Sequence, residues 1–324
     1  MAVNLHSGHL HFASRQLPKP PTNLPAVQAS LDLVNCEQLL ARLGGQLHIP
    51  SLPESLTALT HLVQQPNPNL QQIVASIEQD PILSGDILHT LRQPAFQSQL
   101  KRPIDIVNIH QCVNLIGFES LYQLALANGM KQLAGTDQII KHLVGYAAKT
   151  AYACAEIAGY LPPQEHPLTQ ERAYLFGLYL HGGMFALAGS FGASYAPIIK
   201  QSLSLPVTAH QQEQQSFVGH DQLGVLVVKQ WGLNERYVAD RVFLTAIAYH
   251  HHPHYECITS DEIRLMIATG LLAQSMVNEL VYQAYQSQEL LEQARKASQV
   301  IGLSDEALSN IRKNLSGYWL KSNA

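Results

Sequence analysis

The chain is expected to be all-α. Apolar residues recur at i, i+3 and i+4 along nearly every long segment, and Asp, Asn, Ser, Thr, Pro and Gly stand where such segments would begin and end. No run alternates apolar with polar residues as a half-buried strand does, and neither a G-x-G-x-x-G nor a phosphate-binding loop is present. Apolar residues make up 46% of the 324 and charged residues 14%, which suits a large core with a sparsely charged surface.

Residues 1–27 are rich in Pro, His and small polar residues and read as a flexible amino-terminal arm. Residues 28–46 hold one short amphipathic helix, Leu31–Leu43, closed by Gly44-Gly45. A larger domain spans 47–255. Ile49-Pro50-Ser51-Leu52-Pro53 leads into a helix presenting Leu56, Leu59, Leu62 and Val63, and a Pro66–Asn69 turn precedes the helix Leu70–Gln79. Asp80-Pro81 then offers an N-cap followed by proline at the first helical position, ahead of Ile82, Leu83, Ile87, Leu88 and Leu91. The spacing predicts a long helix over Asp137–Tyr160 capped by Thr136, then one starting near Thr169, and a glutamine-rich polar helix or loop over Ala209–Phe217. Residues 256–324 form a carboxy-terminal extension packed on the core, with helices Ser260–Tyr285, Gln288–Ile301 and Asp305 to about Tyr318.

Lys plus Arg total 20 against 24 for Asp plus Glu, and no basic cluster offsets this, so no nucleic-acid partner is expected. Cys36, Cys112, Cys154 and Cys257 lie far apart and read as reduced thiols of a cytoplasmic protein. No signal peptide is evident in the first residues. Arg172 to Lys200 has no charged residue between its ends, but five glycines, His181 and Pro197 interrupt it. It is expected to be a buried central helix plus loop and no membrane span.

Gly219–Pro253 draws the rest together. Leu223, Leu226, Val227 and Trp231 mark one helix face, Gly232 suits a C-cap and Asn234 the next N-cap. A second helix from about Glu235 to Tyr249 ends in His250-His251-His252-Pro253. Histidines grouped this way point to a metal site or a polar network. The pattern H-x3-G-x6-WGL followed by YHH-x-P resembles the last third of an HDOD domain, a branch of the HD metal-dependent phosphohydrolase superfamily. The HIPSLP segment, the I-x-x-DP-x-L helix and the run Ile109–Gly117, which is similar to I-x-x-A-x-x-x-LG, extend the resemblance over roughly Leu47–Pro253. It departs at Gln93–Phe96 and at Cys112, where relatives usually carry Asn-Ser-Ala and alanine.

The resemblance implies an HD-like helical bundle with extra carboxy-terminal helices. Enzymes of the superfamily hold divalent metal with a histidine on one helix, an adjacent His-Asp pair on the next and a later aspartate, and the metal activates water. Here the pair becomes Leu180-His181, and Tyr146 stands at the upstream position, with His142 one turn earlier. His220-Asp221 is a His-Asp dipeptide at a different position of the pattern, and Asp221 fits the first turn of its helix, where the dipole favours a carboxylate.

No catalytic residue is therefore expected. The ligand or relic-site candidates are His181, His220, Asp221, His250 and His251, with His252 beside them. No cofactor is expected, and the cluster reads as a hydrogen-bonded plug with His250–His252 partly exposed at a helix end. The alternative is a divalent transition metal on His181, His220, His250 and His251. The resemblance implies a non-catalytic signalling or regulatory protein that binds a protein partner or a nucleotide-type ligand. Its rival is a divergent metal-dependent phosphohydrolase.

Overall fold

The computed structural model describes residues 19, 21, 24–31, 36–45, 47–92, 104–133, 137–161, 168–205, 208–231, 240–286 and 288–322. Among them every regular element is helical, and strand geometry appears only as an isolated parallel bridge between Val27 and Ile258. The first part holds α1 (Cys36–Arg42), α2 (Glu54–Val63), α3 (Leu70–Glu78), α4 (Pro81–Arg92) and α5 (Ile109–Gln132). Then come α6 (Gln138–Ala158), α7 (Gln170–Tyr179), α8 (Gly182–Ser204), α9 (Ala209–Ser216), α10 (His220–Gln230) and α11 (Arg241–Tyr249). A 3-10 turn at Tyr255–Cys257 leads into α12 (Asp261–Leu280), α13 (Gln288–Ile301) and α14 (Asp305–Ser322).

Side-chain caps fix most helix starts. Asp80 Oδ1 accepts from the Ile82 and Leu83 amides at 3.0 and 2.9 Å, as the Asp-Pro pair predicts. Thr169 caps α7 and Ser260 caps α12, both where the sequence puts a start. Two starts differ from expectation. Asp137 caps α6, while Thr136 lies outside the described residues. Helix α11 begins at Arg241 and not near Glu235, because Asp240 Oδ1 accepts from the Phe243 amide at 2.8 Å. The proposed caps Gly232 and Asn234 lie outside the described residues, as do Gln93–Phe96 and most of the amino-terminal arm.

Other boundaries move by smaller amounts. Helix α1 is described over Cys36–Arg42, residues 32–35 of the expected Leu31–Leu43 lying outside the described residues, and Gly44 and Gly45 close it with φ of 62° and 72°. Helix α12 stops at Leu280, five residues before the expected Tyr285. The end of the arm is docked: the Val27 amide donates to the Cys257 carbonyl and the Thr259 amide to the Val27 carbonyl, at 2.9 and 3.1 Å. The Ser30 amide donates to the Tyr249 hydroxyl at 3.2 Å.

The uncharged stretch is two helices. They meet at Leu180-His181, and Gly192 breaks the second with a φ of 41°. Its most apolar window is 78% buried in the protein, which accounts for its composition. Trp231 ties this centre to the amino-terminal part: its indole N–H donates to the Pro50 carbonyl at 2.8 Å, and its ring lies 5.9 Å from Tyr179 and 6.3 Å from Phe185. Cys112, Cys154 and Cys257 are free thiols.

One close approach brings two histidine-bearing helix starts together. A Cβ on Gly183 would fall inside the His220 carbonyl oxygen and 2.8 Å from the Gly224 amide nitrogen. Both obstacles are backbone of α10, so neither can rotate away. Glycine therefore lets the first turns of α8 and α10 touch. Gly183→Ala should cost about 3 kcal/mol, at the upper end of overpacking. A denaturant midpoint unchanged from the parent would contradict that close contact.

Helix α12 packs against α6, α7, α11 and α13 and buries residues all around its circumference, Leu265, Met266, Ile267, Ala268, Leu271, Leu272, Met276 and Val277 among them. Ending the chain after Tyr255 should uncover the faces of α6 and α7 and give aggregating protein without a cooperative transition. A fragment 45–255 that melts cooperatively and stays monomeric on gel filtration would show the opposite.

Candidate functional site

Three helix ends meet behind the Gly183 contact. His181 is the N-cap residue of α8, His220 opens α10 and His250 is the C-cap residue of α11. All three are buried, at 2%, 1% and 1% exposure. His220 Nε2 sits at the centre, 3.2 Å from His181 Nδ1, 3.3 Å from His250 Nε2 and 3.2 Å from His251 Nε2. The donor atoms of His181, His220 and His250 lie within 4.8 Å of one another.

The far side of each ring fixes which nitrogen faces inward. His250 Nδ1 donates to the Ile247 carbonyl at 2.7 Å, so its Nε2 presents a lone pair. His220 Nδ1 donates to Glu213 Oε2 at 2.6 Å. Glu213 has no exposed surface, and it also accepts from the His220 amide at 2.9 Å and the Tyr195 hydroxyl at 2.5 Å. His181 Nε2 is buried with no hydrogen-bond partner among the described residues.

Each sequence candidate now has a place. His181, His220, His250 and His251 converge. His250 is fully buried, against the expectation of partial exposure, because the Ile247 carbonyl holds its ring inward; His251 is half-buried. His252 points elsewhere: it stacks on Tyr249 at 5.7 Å, and its Nδ1 accepts from the His254 amide at 3.1 Å. Asp221 sits in the first turn of α10 and turns its carboxylate to His210 Nε2 at 3.2 Å. Leu180 is wholly buried and apolar. Tyr146 faces His181 from α6 at 5.3 Å and donates to Asn278 Oδ1 of α12 at 3.0 Å, while His142 lies against Tyr282 at 5.4 Å.

Sequence reasoning missed Glu213, Tyr195 and His210, and with Glu213 it missed a carboxylate at the heart of the cluster. Glutamines surround Glu213, so its helix looks like a solvated face. A signal existed: Glu213 is the only acidic residue between Glu171 and Asp221. His210 stacks on His251 at 4.0 Å and closes that side.

Burial would raise the Glu213 carboxyl, but the His220 charge and three hydrogen bonds overcome it and hold the group below its ordinary range. Burial likewise pushes His220 down, and the Glu213 charge and hydrogen bond together with Asp221 push it above the usual imidazole value. Burial, reinforced by the neighbouring rings, drives His181, His250 and His251 well below it. The interior thus holds one ion pair ringed by neutral imidazoles. Those neutral rings are the form that binds metal.

Comparison with known proteins bears on the family and the fold. The family model for the HDOD domain matches residues 49–253. An uncharacterised protein of Treponema pallidum (strain Nichols) is 26% identical over 235 residues, 72% of this chain; the chain spans only 42% of that protein's length. An HDOD domain protein of unknown function from Geobacter sulfurreducens superposes with a TM-score of 0.60 at 17% identity, covering 87% of this chain and 98% of that one. A candidate phosphohydrolase from Shewanella amazonensis SB2B gives 0.60 at 14% identity, covering 88% and 95%. At these identities the likeness is one of fold.

The depressed histidines fix the sign of a pH response. With their folded values below the unfolded value of about 6.5, the unfolded chain takes up protons first, so their stabilising contribution falls as pH drops below about 6.5. His220 acts in the opposite sense: it stabilises below about 6.5 and that contribution is lost as pH rises through its folded value. Three against one sets the net direction. In chelator-treated protein the melting temperature should decline on acidification from pH 6.5, and replacing His250 and His251 with glutamine should flatten that limb. An equally steep limb in the double variant would assign the acid sensitivity to other groups.

Proposed function

The chain belongs to the HDOD family, and on that premise we propose a regulatory protein that acts by binding and does not hydrolyse phosphoesters. One observation carries the reading: among the described residues no carboxylate is left to serve as a metal ligand. Leu180 fills the position before His181 and Gly182 the one after it. Both carboxylates near the cluster are engaged, Glu213 with His220 and Tyr195, Asp221 with His210. A hydrolase of the HD kind needs an oxygen ligand to bridge or charge-balance its metal and a water beside it. Here the central nitrogens are enclosed by other imidazoles.

On this reading the partner is a protein of a signalling system or a nucleotide-type ligand, and the protein works in the cytoplasm without a membrane span. The rival is a divergent metal-dependent phosphohydrolase, and the convergence of four ring nitrogens favours it. That rival still requires water activation by a centre lacking any carboxylate ligand.

Purified protein supplied with manganese, magnesium, iron or nickel should turn over neither phosphomonoesters, nucleotides nor cyclic dinucleotides above background. Turnover that vanishes in His220→Ala would overturn the regulatory reading and establish the rival.

A further inference from the structure

We propose that His181, His220 and His250 form a mononuclear site for a late first-row transition ion, bound through imidazole nitrogen. Nitrogens about 2.0–2.1 Å from one tetrahedral ion stand roughly 3.3–3.4 Å apart. His220 Nε2 lies 3.2 Å from His181 Nδ1 and 3.3 Å from His250 Nε2, close to that edge, and the three donor atoms all lie within 4.8 Å of one another. His251 Nε2, 3.2 Å from His220 Nε2, stands beside the set. On metal binding His220 gives up its Nε2 proton, while its Nδ1–H stays on Glu213.

A further feature points to a ligand. Metal-binding imidazoles have their other nitrogen held by a carboxylate or backbone carbonyl, and His220 and His250 show one of each, on Glu213 and Ile247. His181 completes the set by turning Nδ1 toward His220 Nε2.

The donor set also selects. It uses His220 and His250, neither of which belongs to the His, His-Asp and Asp set of the superfamily's enzymes, and it offers no oxygen. Magnesium and manganese, which favour oxygen ligands, should be rejected, whereas cobalt, nickel, copper and zinc suit imidazole. Glu213 acts as a positioning residue: it orients His220 and supplies one negative charge just outside the ligand shell.

The inference goes beyond the regulatory reading and stands apart from it, so its test reads metal and not turnover. Tag-free protein is incubated with zinc, nickel or cobalt, separated from free ion by gel filtration, and assayed for retained metal and for thermal shift. One ion per chain is expected, with a raised melting temperature that grows with ion concentration, and neither effect with magnesium or manganese. X-ray absorption of the nickel or zinc complex should show a nitrogen shell, which needs no variant. His250→Gln should lose the ion, and Glu213→Gln should weaken binding about 10–100-fold.

Protein that emerges metal-free, a shell dominated by sulfur, or retention undiminished in a folded His250→Gln would overturn the site. Loaded protein that hydrolyses phosphoesters would instead overturn the regulatory reading and leave the metal site standing.

Discussion

A carboxylate with no exposed surface is the constraint on which the centre of this molecule depends. Burying Glu213 as an isolated charge would cost several kcal/mol, so three donors must reach it: the His220 ring, the His220 amide and the Tyr195 hydroxyl. The ring and amide require α10 to begin at His220, and Tyr195 requires α8 to continue past the break at Gly192. Once these are satisfied His220 has no freedom left, and its Nε2 must face the other histidines. The geometry of the cluster is a consequence of satisfying one acid.

Backbone contact sets the remaining distances. Because Gly183 lets α8 touch α10, His181 and His220 approach from adjacent helix starts; because the Ile247 carbonyl holds His250, the end of α11 closes the third side. Leu180 and Gly182 on either side of His181 keep carboxylate chemistry out. The same packing that excludes water also keeps three imidazoles neutral, and in that state their lone pairs are available.

Helix periodicity and capping chemistry are local, and they show in the sequence: Asp80-Pro81, Thr169 and Ser260 start helices where composition alone says they should. The site is only half visible in that way. His181, His220, His250 and His251 stand out as histidines, and the decoy position of Asp221 follows from the pattern around it. Glu213 does not stand out, because the residue that holds it in the interior, Tyr195, lies on another helix and reaches it only after Gly192 redirects α8. The start of α11 escapes local pattern for a simpler reason: several residues before Asp240 could continue a helix, and the cap that sets the boundary wins through one hydrogen bond. Tertiary partners, which no local pattern encodes, decide such cases.

The docked segment at Val27–Ser30 has a kinetic consequence. Its partners are Tyr249, Cys257 and Thr259, and Ser30 and Tyr249 are separated by 219 residues. At a synthesis rate of about 5–20 residues per second, Tyr249 appears roughly 10–45 s after Ser30, and closing so long a loop carries a further entropic cost. During that interval those hydrogen bonds cannot form. Docking of Val27–Ser30 therefore waits until α11 and the turn after it have been made.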